Sequence, residues 1–266
     1  MTKDKLTIVK VGGKIVEEEE SLRQLLADFA SIEGFKLLVH GGGRSATKVA
    51  ADLGIETKMV DGRRVTDDDM LKVVTMVYGG LVNKSVVARL QSLGVDALGM
   101  TGADMNIILS RKRPVKSVDY GWVGDVERVN GEALSALIRS GVVPVIAPLT
   151  HDGVGHLLNT NADTMAGSTA RGLAPYFDVR LVFCFEKPGV LRDENDDDSV
   201  IARIDRAAFG QLKNEGIVSG GMLPKLENAL DAIDSGVSEV IITKASSLGN
   251  LDAGTHIVDN LSLIHI

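Results

Sequence analysis

Short runs of β-branched and leucine residues alternate along this chain with stretches whose apolar positions recur every three or four residues. Positions 6–11 alternate as a strand and stop at Gly12-Gly13; beyond it Leu22, Leu25, Leu26, Phe29 and Ala30 fall on one face of an amphipathic helix. The pattern repeats at 36–39, which ends in His40-Gly41-Gly42-Gly43 before a helix through Ala46, Val49, Ala50 and Leu53. A long helical stretch, 67–93, has Thr66 as its expected N-cap with Asp69 three residues on. Gly79-Gly80 is expected to kink its middle. Residues 107–129 read as twisted hairpins with basic solvent faces. Strands follow at 142–147, 180–185 and 240–243, and helices at 162–173, 205–214 and 222–235. This alternation predicts an α/β fold, an open and mainly parallel sheet with helices on both faces. A break near 175–180 divides the chain into an N-terminal lobe, 1–175, and a C-terminal lobe, 176–266.

Composition narrows the classes of function. With Lys+Arg 29 against Asp+Glu 36 the net charge is −7, and no basic block is large enough to attract a phosphodiester backbone, which argues against nucleic acid as a partner. The longest uncharged apolar run, 142–149, holds two prolines and is too short to span a membrane. The first residues turn polar too soon for a secretory signal. A single cysteine, Cys184, excludes an intrachain disulfide or a cysteine-rich zinc site and points to a reducing cytoplasm. Glycine stands out at 29 of 266 residues, above the usual ~7%, as tight turns and close backbone approach to a ligand require.

In an open α/β sheet, ligands bind beyond the carboxyl ends of the strands. The turns at Gly12-Gly13 and Gly41-Gly42-Gly43 each open a helix there, so unobstructed N–H groups converge on a place suited to anionic oxygens. Lys10 interrupts the apolar strand Ile8-Val9-Lys10-Val11. On an edge strand it would reach solvent; on a central one its ammonium would extend over the glycine turn. In Ser219-Gly220-Gly221-Met222-Leu223-Pro224-Lys225 a glycine turn opens another helix, and Lys225 in its first turn opposes the dipole unless a bound phosphate reverses the sign. Asn159-Thr160-Asn161-Ala162-Asp163 is a capping sequence that also offers Asp163 to orient two lysines. Arg63-Arg64, after Asp61-Gly62, lies at a hairpin tip, where an arginine can grip a carboxylate bidentately.

Other patterns compete or fall away. Gly41–Ala46 matches GxGxxA with Asp61 twenty residues on, the pattern of a nicotinamide-dependent dehydrogenase, but that leaves Lys10, Asp163 and Lys225 unexplained. A non-catalytic amino-acid sensor on the same lobes is a further alternative. Arg111-Lys112-Arg113 reads as a solvated hairpin. Asp193–Asp198 reads as a solvated turn, because an EF-hand needs glycine where Asp198 stands.

The set KVGGK, HGGG, GRRVT, NTNAD and SGGMLPK, in this order, resembles the amino-acid kinase family over nearly the whole chain. KxGG alone is shared by carbamate, aspartate, glutamate and uridylate kinases; the other four together are specific. The resemblance implies a kinase that makes an acyl phosphate on the γ-carboxylate of an N-acylglutamate, N-acetyl or N-succinyl, in arginine biosynthesis. Another small-carboxylate kinase of the family is the alternative. It implies the acylamino acid in the first lobe and ATP in the second, with Mg2+ carried by the nucleotide and no dedicated metal site. Lys10 and Lys225 would flank the transferring phosphoryl group and Asp163 would hold both. Gly12, Gly13, Gly42 and Gly43 would supply backbone donors, with Gly220 and Gly221 beside the nucleotide. Arg64 and Asn159 would grip the α-carboxylate end. After the strand entering the C-terminal lobe, relatives usually carry a Thr-Asp pair before the next glycine, where this chain runs Phe183-Cys184-Phe185-Glu186-Lys187-Pro188-Gly189, so contacts carried over to 183–187 are left open. Arginine-inhibited members carry an N-terminal helix that links dimers into a ring. The short stretch before Lys10 leads instead to the expectation of an arginine-insensitive homodimer, packed through Val73, Val74, Val77, Leu81 and Val82.

Overall fold

The computed structural model describes residues 3–219 and 222–259. Strand β1 (Lys5–Val11) turns into α1 (Gly13–Glu17) and α2 (Glu19–Ser31), and β2 (Phe35–His40) turns likewise into α3 (Gly43–Asp52). A hairpin of β3 (Met59–Val60) and β4 (Arg63–Arg64) precedes a long helix made of α4 (Asp68–Val74), a π-helical segment (Thr75–Val82) and α5 (Asn83–Ser92). Next come β5 (Ala97–Met100), β6 (Ile108–Lys112), β7 (Gly124–Val129), α6 (Gly131–Arg139), β8 (Val143–Ile146), β9 (Leu149–His151), β10 (Leu157–Asn159) and α7 (Ala162–Leu173). The remainder comprises β11 (Asp178–Phe185), β12 (Arg203–Ile204), α8 (Arg206–Asn214), α9 (Met222–Asp234), β13 (Glu239–Lys244) and β14 (Thr255–Ile257).

Among the described residues, eight strands form one sheet in the order β12-β14-β13-β11-β1-β2-β8-β5, parallel throughout except between β13 and β14. Side-chain parity divides its two faces. Leu6 and Ile8 of β1, with Leu37, Leu181 and Ile242, pack against Leu134 of α6, Met165 of α7 and Leu226 of α9. Val9 and Val11, with Leu38, Val182 and Ile241, pack against Leu25 and Phe29 of α2 and Val86 of α5. Each fully buried Leu, Ile, Val or Phe contributes roughly 1.5–3 kcal/mol, so these two layers anchor the strand ends that carry the glycine turns. The second sheet, β10-β9-β6-β7, is the twisted hairpin region expected at 107–129, extended by a further pair of strands.

The long helix departs from expectation in three ways. Its N-cap is Asp67, whose carboxylate accepts from the Met70 N–H at 2.9 Å, because Thr66 is fully buried and bonded elsewhere. Gly79-Gly80 lies within a π-helical stretch, which widens the helix rather than breaking it. The inward stripe Met70, Val73, Val74, Val77, Tyr78 continues through Val82, Asn83 and Val86 but slips past Leu81, which α-helical spacing from Val74 and Val77 would turn inward. That slip corrects the expected dimer face: Val73, Val74, Val77 and Val82 are buried in the chain's own core, and of the five only Leu81 is exposed, at 58%. By length and mean hydropathy (1.2) the helix Asp68–Ser92 could cross a membrane, but the same valines and Leu90 are packed within the protein.

Candidate active site

Parity and strand position decide where Lys10 points. β1 lies between β11 and β2, and Lys10 shares a face with Leu6 and Ile8, the face covered by α7. Its ammonium meets the carboxylate of Asp163, in the first turn of α7, at 2.6 Å. Asn161 caps that helix by accepting from the Asp163 and Thr164 N–H groups, which fixes Asp163 in place. The Lys225 ammonium, from the first turn of α9, lies 3.9 Å from the centre of the Phe185 ring, and Lys10 lies 5.1 Å from the same ring. Half-burial lowers the Lys225 pKa; Asp163 opposes the shift and the neighbouring Lys10 charge adds to it. Both lysines and the aspartate thus share one electrostatic environment, short of negative charge by one unit. Gly220 and Gly221 lie outside the described residues.

The two glycine turns touch. A Cβ on Gly41 would stand 2.9 Å from the Gly13 nitrogen, and one on Gly42 2.9 Å from the Tyr78 ring, so any side chain at either position collides. His40, wholly buried, braces this contact: its Nδ1 bonds the Gly41 carbonyl at 2.7 Å and its Nε2 meets the Asn83 amide at 3.1 Å. Asn83 also donates to the Val145 carbonyl, so its amide nitrogen is the donor to Nε2, and Nδ1 carries the imidazole proton. Burial lowers the His40 pKa to about 4 and keeps the ring neutral.

Arg64 folds back from its hairpin over these turns. Its Nη2 donates to the Gly43 carbonyl at 2.7 Å and to Thr47 Oγ1 at 2.9 Å. Asn159 Nδ2 donates to Thr66 Oγ1 at 2.9 Å across 93 residues of chain. Two cavities meet here. A smaller one, about 220 Å³, is lined by Gly42, Arg64, Tyr78, Arg113 and Asn159. A larger one, about 600 Å³, is lined by Gly12, Gly13, Phe185, Glu186 and Lys225. Gly43, Met59 and Arg64 belong to both. Two ligands bound in them would meet over the Gly43 turn.

Several residues were missed or misplaced by sequence. Arg113 is no solvated hairpin residue; it pairs with Asp125 at 2.5 Å and lines the smaller cavity. Asp61 lies in the β3–β4 turn and not at the end of a parallel strand, which removes the geometric basis of the dinucleotide pattern. Glu186, in the segment left open, pairs with Lys14 at 2.9 Å at the wall of the larger cavity, and that bond holds its carboxyl below the usual range. Nothing in the local sequence pairs Lys14 with a residue 172 positions away. Among the described residues, no group of three or more His, Cys, Asp and Glu side chains converges as metal ligands.

A central sheet flanked by helices, glycine turns at its strand ends and a lysine–aspartate pair define the class of protein. A model of the amino acid kinase family matches residues 5–244, and the chain belongs to that family. Among curated relatives, the acetylglutamate kinase of Phocaeicola vulgatus is 69% identical, over 95% of this chain and 98% of its own length. That of Bacteroides fragilis is 68% identical, over 96% and 97%. Among solved structures, carbamate kinase from Giardia lamblia bound to AMP-PNP shares the fold with a TM-score of 0.71 at 13% identity, covering 97% of this chain and 99% of that one.

Proposed function

We propose that this chain transfers the γ-phosphoryl group of ATP to the γ-carboxylate of N-acetyl-L-glutamate, or of a related N-acylglutamate, as a step of arginine biosynthesis. The junction of the two cavities at Gly43 and Arg64 carries the proposal, because Arg64, a side chain suited to gripping a carboxylate, stands there and Lys225 lines the larger cavity. The high identity to acetylglutamate kinases supports the choice of substrate. On this assignment the acylamino acid occupies the smaller cavity, in lobe 1–175, and ATP the larger, with lobe 176–266. Arg64 and Asn159 hold the α-carboxylate end. Gly12 and Gly13 offer N–H donors to the phosphates.

The attacking carboxylate is already ionised at pH 7, so it needs no general base. Its oxygen forms the new O–P bond as the bond between the γ-phosphorus and the β–γ bridging oxygen breaks, and ADP leaves. The difficulty is the meeting of like charges. Lys10 and Lys225 stabilise the charge on the phosphoryl group in flight, and Asp163 keeps both in position. Magnesium is assigned to the phosphates of the nucleotide, since Asp125, Asp163 and Glu186 each face a cation of the chain itself. The assignment extends to a cytoplasmic homodimer whose contact includes Met76 and Leu81, exposed on the π-helical segment. Trapping the acyl phosphate with hydroxylamine tests the activity. Hydroxamate should form with N-acyl-L-glutamates, ATP and Mg2+ together and not without ATP. Turnover of a nicotinamide cofactor, or ligand binding without turnover, would sink the assignment.

A further inference from the structure

The π-helical segment presents one side chain to the site that neither the motifs nor the mechanism above uses. α-Helical spacing inward from Val74 and Val77 leads to Leu81, yet Leu81 is exposed and Val82 and Asn83 are buried. The additional residue is accommodated between Val77 and Val82, and Tyr78 stays on the inner face beside Val77. Such widened turns are uncommon and concentrate at functional sites. Asn83, bonded to His40 and to the Val145 carbonyl, pins the end of the segment against the strand that carries the glycine turn. The Tyr78 ring consequently lies against Gly42, where a Cβ would come within 2.9 Å of Cδ1. Its hydroxyl reaches Gly43: a Cβ built there would stand 4.0 Å from the phenol oxygen and 3.8 Å from Nη2 of Arg64. Phenol and guanidinium thus flank the same glycine at the wall of the smaller cavity.

We propose that Tyr78 is a further substrate-binding residue, whose hydroxyl donates to the α-carboxylate of the acylamino acid beside Arg64. The proposal rests on the functional assignment above. A ring packed on a glycine needs no hydroxyl for its packing; phenylalanine would serve as well. The hydroxyl adds a donor next to a guanidinium, and an anionic oxygen is the partner that uses both. Burial raises the Tyr78 pKa, only partly opposed by Arg64, so the proton remains available at neutral pH. A hydrogen bond to a charged group of this kind is worth roughly tenfold or more in affinity.

The test is Tyr78→Phe, which keeps the ring and removes only the hydroxyl. Calorimetric binding of N-acetyl-L-glutamate should weaken about tenfold, and its KM should rise in step. The kcat, the KM for ATP and the melting temperature should stay at wild-type values. The analogue with an α-carboxamide in place of the α-carboxylate separates hydroxyl chemistry from shape. Wild type should prefer the carboxylate more strongly than Tyr78→Phe does, by about the same tenfold. An unchanged carboxylate-to-carboxamide ratio overturns the proposal, as does a variant that loses kcat, both KM values and thermal stability together. A wild-type protein that neither binds nor phosphorylates N-acetyl-L-glutamate defeats the functional assignment itself, and the proposal with it.

Discussion

Lys10 and Lys225 reach the same place by different local routes, one by strand parity on β1 and one from the first turn of α9. Each carries an unfavourable local term: a charge inside an apolar strand, and a cation at a helix N-terminus. Asp163 offsets both partly, and in the proposed complex the polyphosphate of the nucleotide completes the compensation. Removing one oriented donor to transition-state charge costs roughly 10²–10³ in rate, so Lys225→Ala should lower kcat by that factor. Lys225→Arg should recover little, because the planar guanidinium places its charge elsewhere. Steady-state kinetics check this, and a kcat within about threefold of wild type would remove Lys225 from its role. Arg64→Ala should instead raise the KM for the acylamino acid far more than the KM for ATP. Equal rises would mean that the fold around the hairpin has failed. Arg64 was legible as a candidate carboxylate ligand from its hairpin position, whereas Tyr78 at the cavity wall was not: an aromatic residue among valines in an apolar helix reads as core.

At the scale of elements, the glycine turn after β2 depends on a buried, neutral imidazole. The folded His40 pKa of about 4 lies below the ordinary value of 6.5, so the unfolded chain binds a proton that the folded chain refuses. His40's contribution is fully retained above about pH 6.5 and is lost as pH falls toward 4, by about 1.4 kcal/mol per pH unit. Urea unfolding at pH 7 and pH 5 should show this loss in wild type and a shallower slope in His40→Gln. Identical slopes would place the acid sensitivity elsewhere. Asp152, held at about 2 chiefly by hydrogen bonds from the 152–156 turn against its own desolvation, titrates below this window. The HGGG motif pointed to the turn, but its brace, Asn83, comes from a helix 43 residues on.

At the scale of the whole molecule, β1 joins early and late parts of the chain, pairing with β2 on one side and β11 on the other. The glycine turns after β1 and β2, which line the two cavities, therefore stand at adjacent strand ends of one continuous sheet. The proposed homodimer has a mass near twice 28.2 kDa, which light scattering measures directly. Leu81→Asp should shift that mass toward the single chain, because a charge at the contact would be buried without a partner. An unchanged dimer would move the interface away from the π-helical segment.

The order of strands and helices, the capping sequence around Asn161, the glycine turns and the candidacy of Lys10, Asp163 and Arg64 followed from the sequence by itself. These rest on local causes: side-chain periodicity, backbone freedom at glycine, and short-range competition for helix N–H groups. Only the tertiary structure decided that Thr66 bonds Asn159 while Asp67 caps the helix, that Arg113 turns into a cavity, and that Val82 rather than Leu81 faces inward. Each of those depends on what lies across the fold, where packing and the satisfaction of buried polar groups override the period of the local chain.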